Sequence, residues 1–235
     1  MNKKQLIIAA MAAVLSVTGA NATSTISGIT SGGSGTFDIN PEKVNGDVGY
    51  RAYDYFNVGQ GDVANLLYQW AADDRDINTF INLISNQANI NGVVNSVKNG
   101  NFFDGHAVFI TPGGLTIGSS GVLNVGRLSV ATPNSTKFKS LMDEYNASEF
   151  TPTQINQVSH SGYAPIDVKG YIFSRHGVDL PGSSVSVSGK ILNGINDSTK
   201  FLADTNAEQL FQNLVNTDGV SDAGLVFLNT NHSSN

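Results

Sequence analysis

Between Ala88 and Pro133 the apolar residues come in short pieces cut by turn residues, and within most pieces they alternate with small or polar ones. The pieces are Ile90 to Val97, Ala107 to Ile110, Leu115 to Ile117, Val122 to Val125 and Leu128 to Ala131. Turns fall at Pro112-Gly113-Gly114 and at Gly118 to Gly121. Period two predicts strands with one buried face. Strands this short fall below the roughly five or six residues usual in a sandwich. Successive short faces around one core describe the coils of a parallel β-helix, with a sandwich or meander as the alternative. A second set at Ile166 to Phe173, Val178 to Leu180 and Val185 to Leu192 is expected to stack on the first, as solenoid repeats do.

Three segments have helical spacing instead. In Asp76 to Ser85 the residues Ile77, Phe80, Ile81 and Ile84 fall at i, i+3, i+4 and i+7, with Asp76 as the expected N-cap. Phe138, Leu141, Met142 and Tyr145 repeat that spacing, and each stripe is wide enough to lie against a coil. A third helix is expected from Thr205, where Thr205 and Glu208 have capping-box spacing ahead of Leu210, Phe211 and Leu214. Val63 to Trp70 reads equally as helix or strand. Leu225 to Leu228 reads as another short strand, followed by no recognisable capping segment. An open solenoid end exposes core and strand edges, so the chain is expected to be the front piece of a longer protein.

The run from Leu6 to Val17 is uncharged and mainly apolar, preceded by Lys3 and Lys4 and followed by Ala20-Asn21-Ala22. That is the pattern of a secretory signal peptide, too short to span a bilayer, with Ala20 and Ala22 at the small positions before a cleavage point at Thr23. Residues 1–22 are therefore expected to be removed, leaving 23–235 as one exported domain, secreted or held at the cell surface. Without Lys3 and Lys4 the mature chain carries 11 basic and 19 acidic residues, a formal charge of −8. Such a charge argues against nucleic-acid partners. No later apolar run reaches the ~20 residues of a membrane-spanning helix, so stable membrane insertion is not expected. Cysteine is absent, which suits a chain threaded unfolded through a pore as well as one that simply has no need of disulfides.

Catalytic chemistry finds little purchase. Asp167, Lys169, Arg175, His176 and Asp179 form the best cluster of charges, and alternating outward positions explain them as a solvated strand face with one ion pair. Gly118-Ser119-Ser120-Gly121 lacks the spacing of a nucleophile elbow, and His106, His160, His176 and His232 stand singly. Asp73, Asp74 and Asp76 suit a helix start better than a calcium site. Gly32 to Asp38 carries one out-of-register likeness to a calcium nonapeptide. Neither a metal nor a cofactor is expected.

Three runs carry a resemblance: Tyr50 to Leu67, YRAYDYFNVGQGDVANLL; Ile84 to Ser96, ISNQANINGVVNS; and Val108 to Thr132, VFITPGGLTIGSSGVLNVGRLSVAT. In order, they resemble the N-terminal two-partner secretion domains of filamentous haemagglutinins, leukotoxin-type filamentous adhesins above all. The family commonly has Asn-Pro-Asn-Gly-Ile where this chain has Thr111-Pro112-Gly113-Gly114-Leu115. The turn is expected to survive, with Pro112 fixing φ and Gly113 taking the left-handed position. The resemblance implies an all-β, right-handed parallel β-helix with short helical insertions and an N-terminal cap. It also implies recognition by the periplasmic modules of an outer-membrane β-barrel transporter, ahead of a longer passenger that meets host-cell or matrix surfaces in adhesion, haemolysis or contact-dependent killing. The residues it marks for recognition are Asn57, Gly59, Gly61, Asn65, Gly92 and Thr111 to Leu115. No enzymatic activity is expected; the alternatives are a β-helical polysaccharide lyase or hydrolase and a stand-alone surface-binding module.

Overall fold

The computed structural model describes residues 23–32, 35–70, 72, 75–158 and 162–192, together with the backbone of 226–230. Strands visit three sheets in cyclic order, and each pairs in parallel with the strand one turn earlier, giving an all-β, β-helix-like coil. The first turn consists of β4 (Val48–Tyr53), β5 (Phe56–Val58) and β6 (Val63–Leu67), one strand in each sheet. These sheets are called here the long, outer and ladder faces respectively. The second turn is β9 (Thr79–Ile84), β10 (Ala88–Ile90) and β11 (Val93–Lys98), and the third is β13 (His106–Ile110), β14 (Leu115–Ile117) and β15 (Val122–Asn124). The fourth is β16 (Arg127–Ala131), β17 (Ile166–Val168) and β18 (Tyr171–Phe173). The fifth is β19 (Val178–Gly182), β20 (Val185–Val187) and β21 (Lys190–Leu192), and β22 (Val226–Thr230) pairs with β19 on the long face.

Ahead of these turns the chain folds over their open end. Strands β1 (Thr25–Ile26) and β3 (Lys43–Asn45) pair antiparallel with β5 and β4, and β2 (Thr36–Ile39) pairs in parallel with β6. Ile26, Phe37 and Ile39 thereby enter the main core as a cap. Excursions leave the coil at its corners. The ribbon β7 (Gln69–Trp70) and β8 (Arg75–Asp76) follows β6, and β12 (Asn101–Phe102) folds back on β11. Helices α1 (Ser135–Tyr145) and α2 (Thr153–Asn156) separate β16 from β17.

Alternation sorts side chains inward and outward, and parallel register stacks like on like. Phe56, Ala88, Leu115 and Ile166 form one interior column, while Ala64, Val94, Leu123 and Ile172 form another, all buried. The long face is buried on both sides. Phe80 and Ile84 point into the main core, whereas Ile81 and Leu83 lie in an outer cluster with Phe138, Leu141 and Tyr145 of α1 and Ile155 of α2. That double burial corrects the helix expected over Asp76 to Ser85. A strand covered on both faces loses its period-two signature and can mimic i, i+3, i+4 spacing. Asp76 is accordingly no N-cap; it lies opposite Gln69 in β8 and is ion-paired with Lys98 at 2.6 Å. Val63 to Leu67 is strand. Ile90 to Val97, Ile166 to Phe173 and Val185 to Leu192, expected as single pieces, each turn a corner, at Asn91-Gly92, Lys169-Gly170 and Ser188-Gly189.

Helix α1 forms where its spacing predicts but begins earlier, because Asn134 caps it: its side-chain oxygen accepts the Lys137 N–H at 2.8 Å. The Glu144 carboxylate accepts the backbone N–H groups of Gln154 (2.8 Å) and Ile155 (2.9 Å), and the Tyr50 hydroxyl donates to the Asn156 side chain at 2.7 Å. Both helices are thus fastened to the coil. The helix expected from Thr205, residue Leu225, His160, His232, Asp73, Asp74 and the expected leader with Ala20 and Ala22 lie outside the described residues.

At the corner between the outer and ladder faces, backbone rests on backbone. A Cβ built on Gly92 would meet the carbonyl oxygens of Gly59 and Asp62 at 2.3 Å each, and one on Gly170 would meet those of Gly121 (2.2 Å) and Gly118 (2.3 Å). Carbonyls cannot retreat here, because each accepts a hydrogen bond: Asp62 O from Val93 and Gly121 O from Tyr171 of the next turn, both at 2.9 Å, and Gly59 O and Gly118 O from within their own corners at 3.1 and 2.8 Å. Replacing Gly92 by Val should therefore cost about 3 kcal/mol, the upper part of the overpacking range. Thermal unfolding followed by circular dichroism checks this, and a melting temperature equal to the wild type contradicts the corner assignment.

Candidate functional site

The residues singled out by the three resembling runs fall mainly on the two corners that flank the outer face, in the first three turns. Asn57 points outward on β5 and accepts a hydrogen bond from the Asn89 side chain at 2.9 Å. Gly59 to Asp62 form the turn that follows, with Gly61 at φ +90° and Gly92 stacked upon it. Thr111 to Leu115 form the opposite corner. There the Thr111 hydroxyl donates to the Asn86 carbonyl and accepts the Gly113 N–H at 3.3 Å. The left-handed residue is Gly114 at φ +85°, not Gly113 as expected. Gly113 is needed for another reason: a Cβ there would meet the Gln87 backbone nitrogen at 2.5 Å. Most of these residues thus serve the stacking of turns, and Leu115 is interior core.

Asn65 belongs to a different feature. Its amide donates to the Asp38 carboxylate of the cap at 2.8 Å, Asn95 donates to Asn65 at 3.3 Å, and Asn124 donates to Asn95 at 3.0 Å. This ladder runs through adjacent turns on outward positions of the ladder face. All three asparagines are nonetheless buried, so each amide needs its neighbour to offset the loss of water.

Sequence reasoning missed the two devices that fasten the cap. Ser24 donates to the Asp62 carboxylate from its hydroxyl (2.5 Å) and its backbone N–H (3.3 Å), and that hydroxyl accepts the Gly59 N–H at 2.7 Å. Arg51, 8% exposed, donates to the carbonyls of Asn40 (3.0 Å) and Gly28 (3.4 Å) and is ion-paired with Glu42 at 3.1 Å. One guanidinium fork thereby joins two stretches of the cap, the turn after β1 and the loop between β2 and β3. An arginine in an alternating strand had been the available signal, since a charge at an inward position must be paired.

The charges grouped from the sequence separate in space. Asp167 and Lys169 make an ion pair at 2.9 Å on the outer face, as a solvated strand face would. His176 and Arg175 turn to Asp104 at the next corner, at 2.5 and 3.9 Å, and Asp179 is buried on the long face. No group of three or more metal-capable side chains occurs among the described residues.

No family model, curated protein or solved structure matches this chain.

If Ser24 and Asp62 act as one latch, Ser24→Ala and Asp62→Ala should each cost about 1.5–3 kcal/mol, the range for a hydrogen bond to a charged group. The double variant should then cost little more than the larger single effect. Chemical denaturation of the four proteins measures this; fully additive losses contradict a shared latch.

Proposed function

We propose that this chain is the secretion domain of an exported filamentous adhesin, recognised by an outer-membrane β-barrel transporter through that partner's periplasmic modules. The observation that carries the reading is the cap. The mature N-terminal segment, the first part of the domain to be made, closes the open end of the coil through Ser24, Asp62 and Arg51. Every later turn then pairs in parallel with a turn already formed. A chain delivered progressively across a membrane can fold in that order without waiting for its far end, as nearest-neighbour solenoids do.

The marked residues fit a second part of the same reading. Gly59, Gly61, Gly92, Gly113 and Gly114 have no side chains to offer; Gly92, Gly113 and Gly114 are held by corner packing, Gly61 by its φ of +90° and Gly59 by backbone hydrogen bonds, so the partner would read them through the backbone edges they shape. Before the turns close, an unpaired edge from β4 to β6 presents N–H and C=O groups to which a strand of the partner can add. Asn57 and Pro112, half-buried, supply the side-chain contacts at the two corners.

Co-expression with and without the cognate barrel tests this, alongside a form lacking residues 50–67. Release of the chain from the cell is expected only with the barrel, and the deletion should abolish it while leaving signal-peptide removal intact. Secretion without the barrel, or undiminished secretion of the deletion, overturns the reading.

A further inference from the structure

A cleft of about 400 Å³ opens on the long face beside α2, away from the corners that carry the secretion reading. Register fixes its chemistry. One outward row runs Thr79, His106, Arg127 across β9, β13 and β16, and the row beside it runs Ile81, Val108, Ser129, Asp179 across four turns. Parallel strands lie about 4.8 Å apart, so each row is a short line of closely spaced side chains. Ile155 of α2 and Val158 just beyond it form the opposite wall. The cleft is therefore polar and cationic along one edge, apolar at Ile81, Val108, Ile155 and Val158, and polar again at Ser129 and Asp179 toward the later turns.

Three facts bear on what would fill it. Arg127 is exposed at the rim and has no ion pair among the described residues, although it faces the cleft. His106 shares a hydrogen bond with Ser129 at 2.8 Å, and burial together with Arg127 pulls its pKa from 6.5 down to about 4. It is therefore neutral at physiological pH and contributes a polar contact without a charge. Asp179 ends the second row, one strand beyond Ser129, and already has an interaction of its own.

We propose that this cleft is a binding site for a small amphipathic carboxylate, with the carboxylate on Arg127 beside Thr79 and His106 and the apolar body against Ile81, Val108, Ile155 and Val158. Its volume lies within the range of about 300 to 1,000 Å³ usual for small-molecule sites, and an apolar lining with a few convergent polar groups is their ordinary composition. A fork of guanidinium donors at the mouth favours a planar anion over a hydroxyl or an ammonium. The His106–Ser129 pair does not make this an acyl-transfer centre. A histidine with so low a pKa is a poor general base at neutral pH.

The test is titration of the full mature chain, isotopically labelled for NMR, with octanoate, octanol and octylamine in turn. Octanoate is expected to give saturable shifts at Ile81, Val108, Ile155 and the His106 ring. Octanol and octylamine should bind at least roughly tenfold more weakly, the loss of a charge-assisted contact. Arg127→Gln, at an exposed position, should bring octanoate down to the octanol level while leaving octanol unchanged. Absence of saturable shifts, octylamine binding as well as octanoate, or an unaffected Arg127→Gln overturns the proposal. The comparison of the three ligands on the wild-type chain decides the matter even if the variant folds poorly.

Discussion

Close approach of one turn's backbone to the next at the corners is the constraint on which the rest of this molecule depends. Strands in adjacent turns can pair only if the corners between them stack at the same spacing as the strands, about 4.8 Å. A side chain at Gly92, Gly170 or Gly189 would meet a carbonyl oxygen at 2.3, 2.2 or 2.0 Å and force the turns apart. Stacked corners bring the faces into register. Register then aligns the interior columns from Phe56 and Ala64, the asparagine ladder, and the two rows of the cleft.

How much of this was legible in the sequence depends on how many faces of a strand are covered. Leu115-Thr116-Ile117 and Ile166-Asp167-Val168 read correctly because one side of the outer face is half-buried while the other is core, which keeps the alternation clean. Thr79–Ile84 misread as helix because α1 and α2, inserted far along the chain, bury its second side; no local pattern carries that information. Corners inside Ile90 to Val97, Ile166 to Phe173 and Val185 to Leu192 were missed because two residues suffice to turn them. Their glycines were the signal, at Gly92, Gly170 and Gly189.

A sharper signal was present in the ladder. Val-Ala-Asn at 63–65, Val-Val-Asn at 93–95 and Val-Leu-Asn at 122–124 recur at separations of 30 and 29 residues, one turn each. Such an internal repeat fixes both the period of the coil and the outward position of each asparagine. Ser24 and Arg51 had no such repeat behind them. A latch and a clamp join segments distant in sequence, so only the folded arrangement brings them together.

The cap joins structure to the proposed function, because it gives the coil a defined first turn. Pulse-labelling hydrogen exchange during refolding tests that claim most directly. Backbone amides of the cap and of the turn from Val48 to Leu67 should gain protection first, followed in order by the turns that begin at Thr79, His106 and Arg127. Protection appearing first in the turns after Arg127, or in all turns at once, would contradict a coil that grows from its capped end.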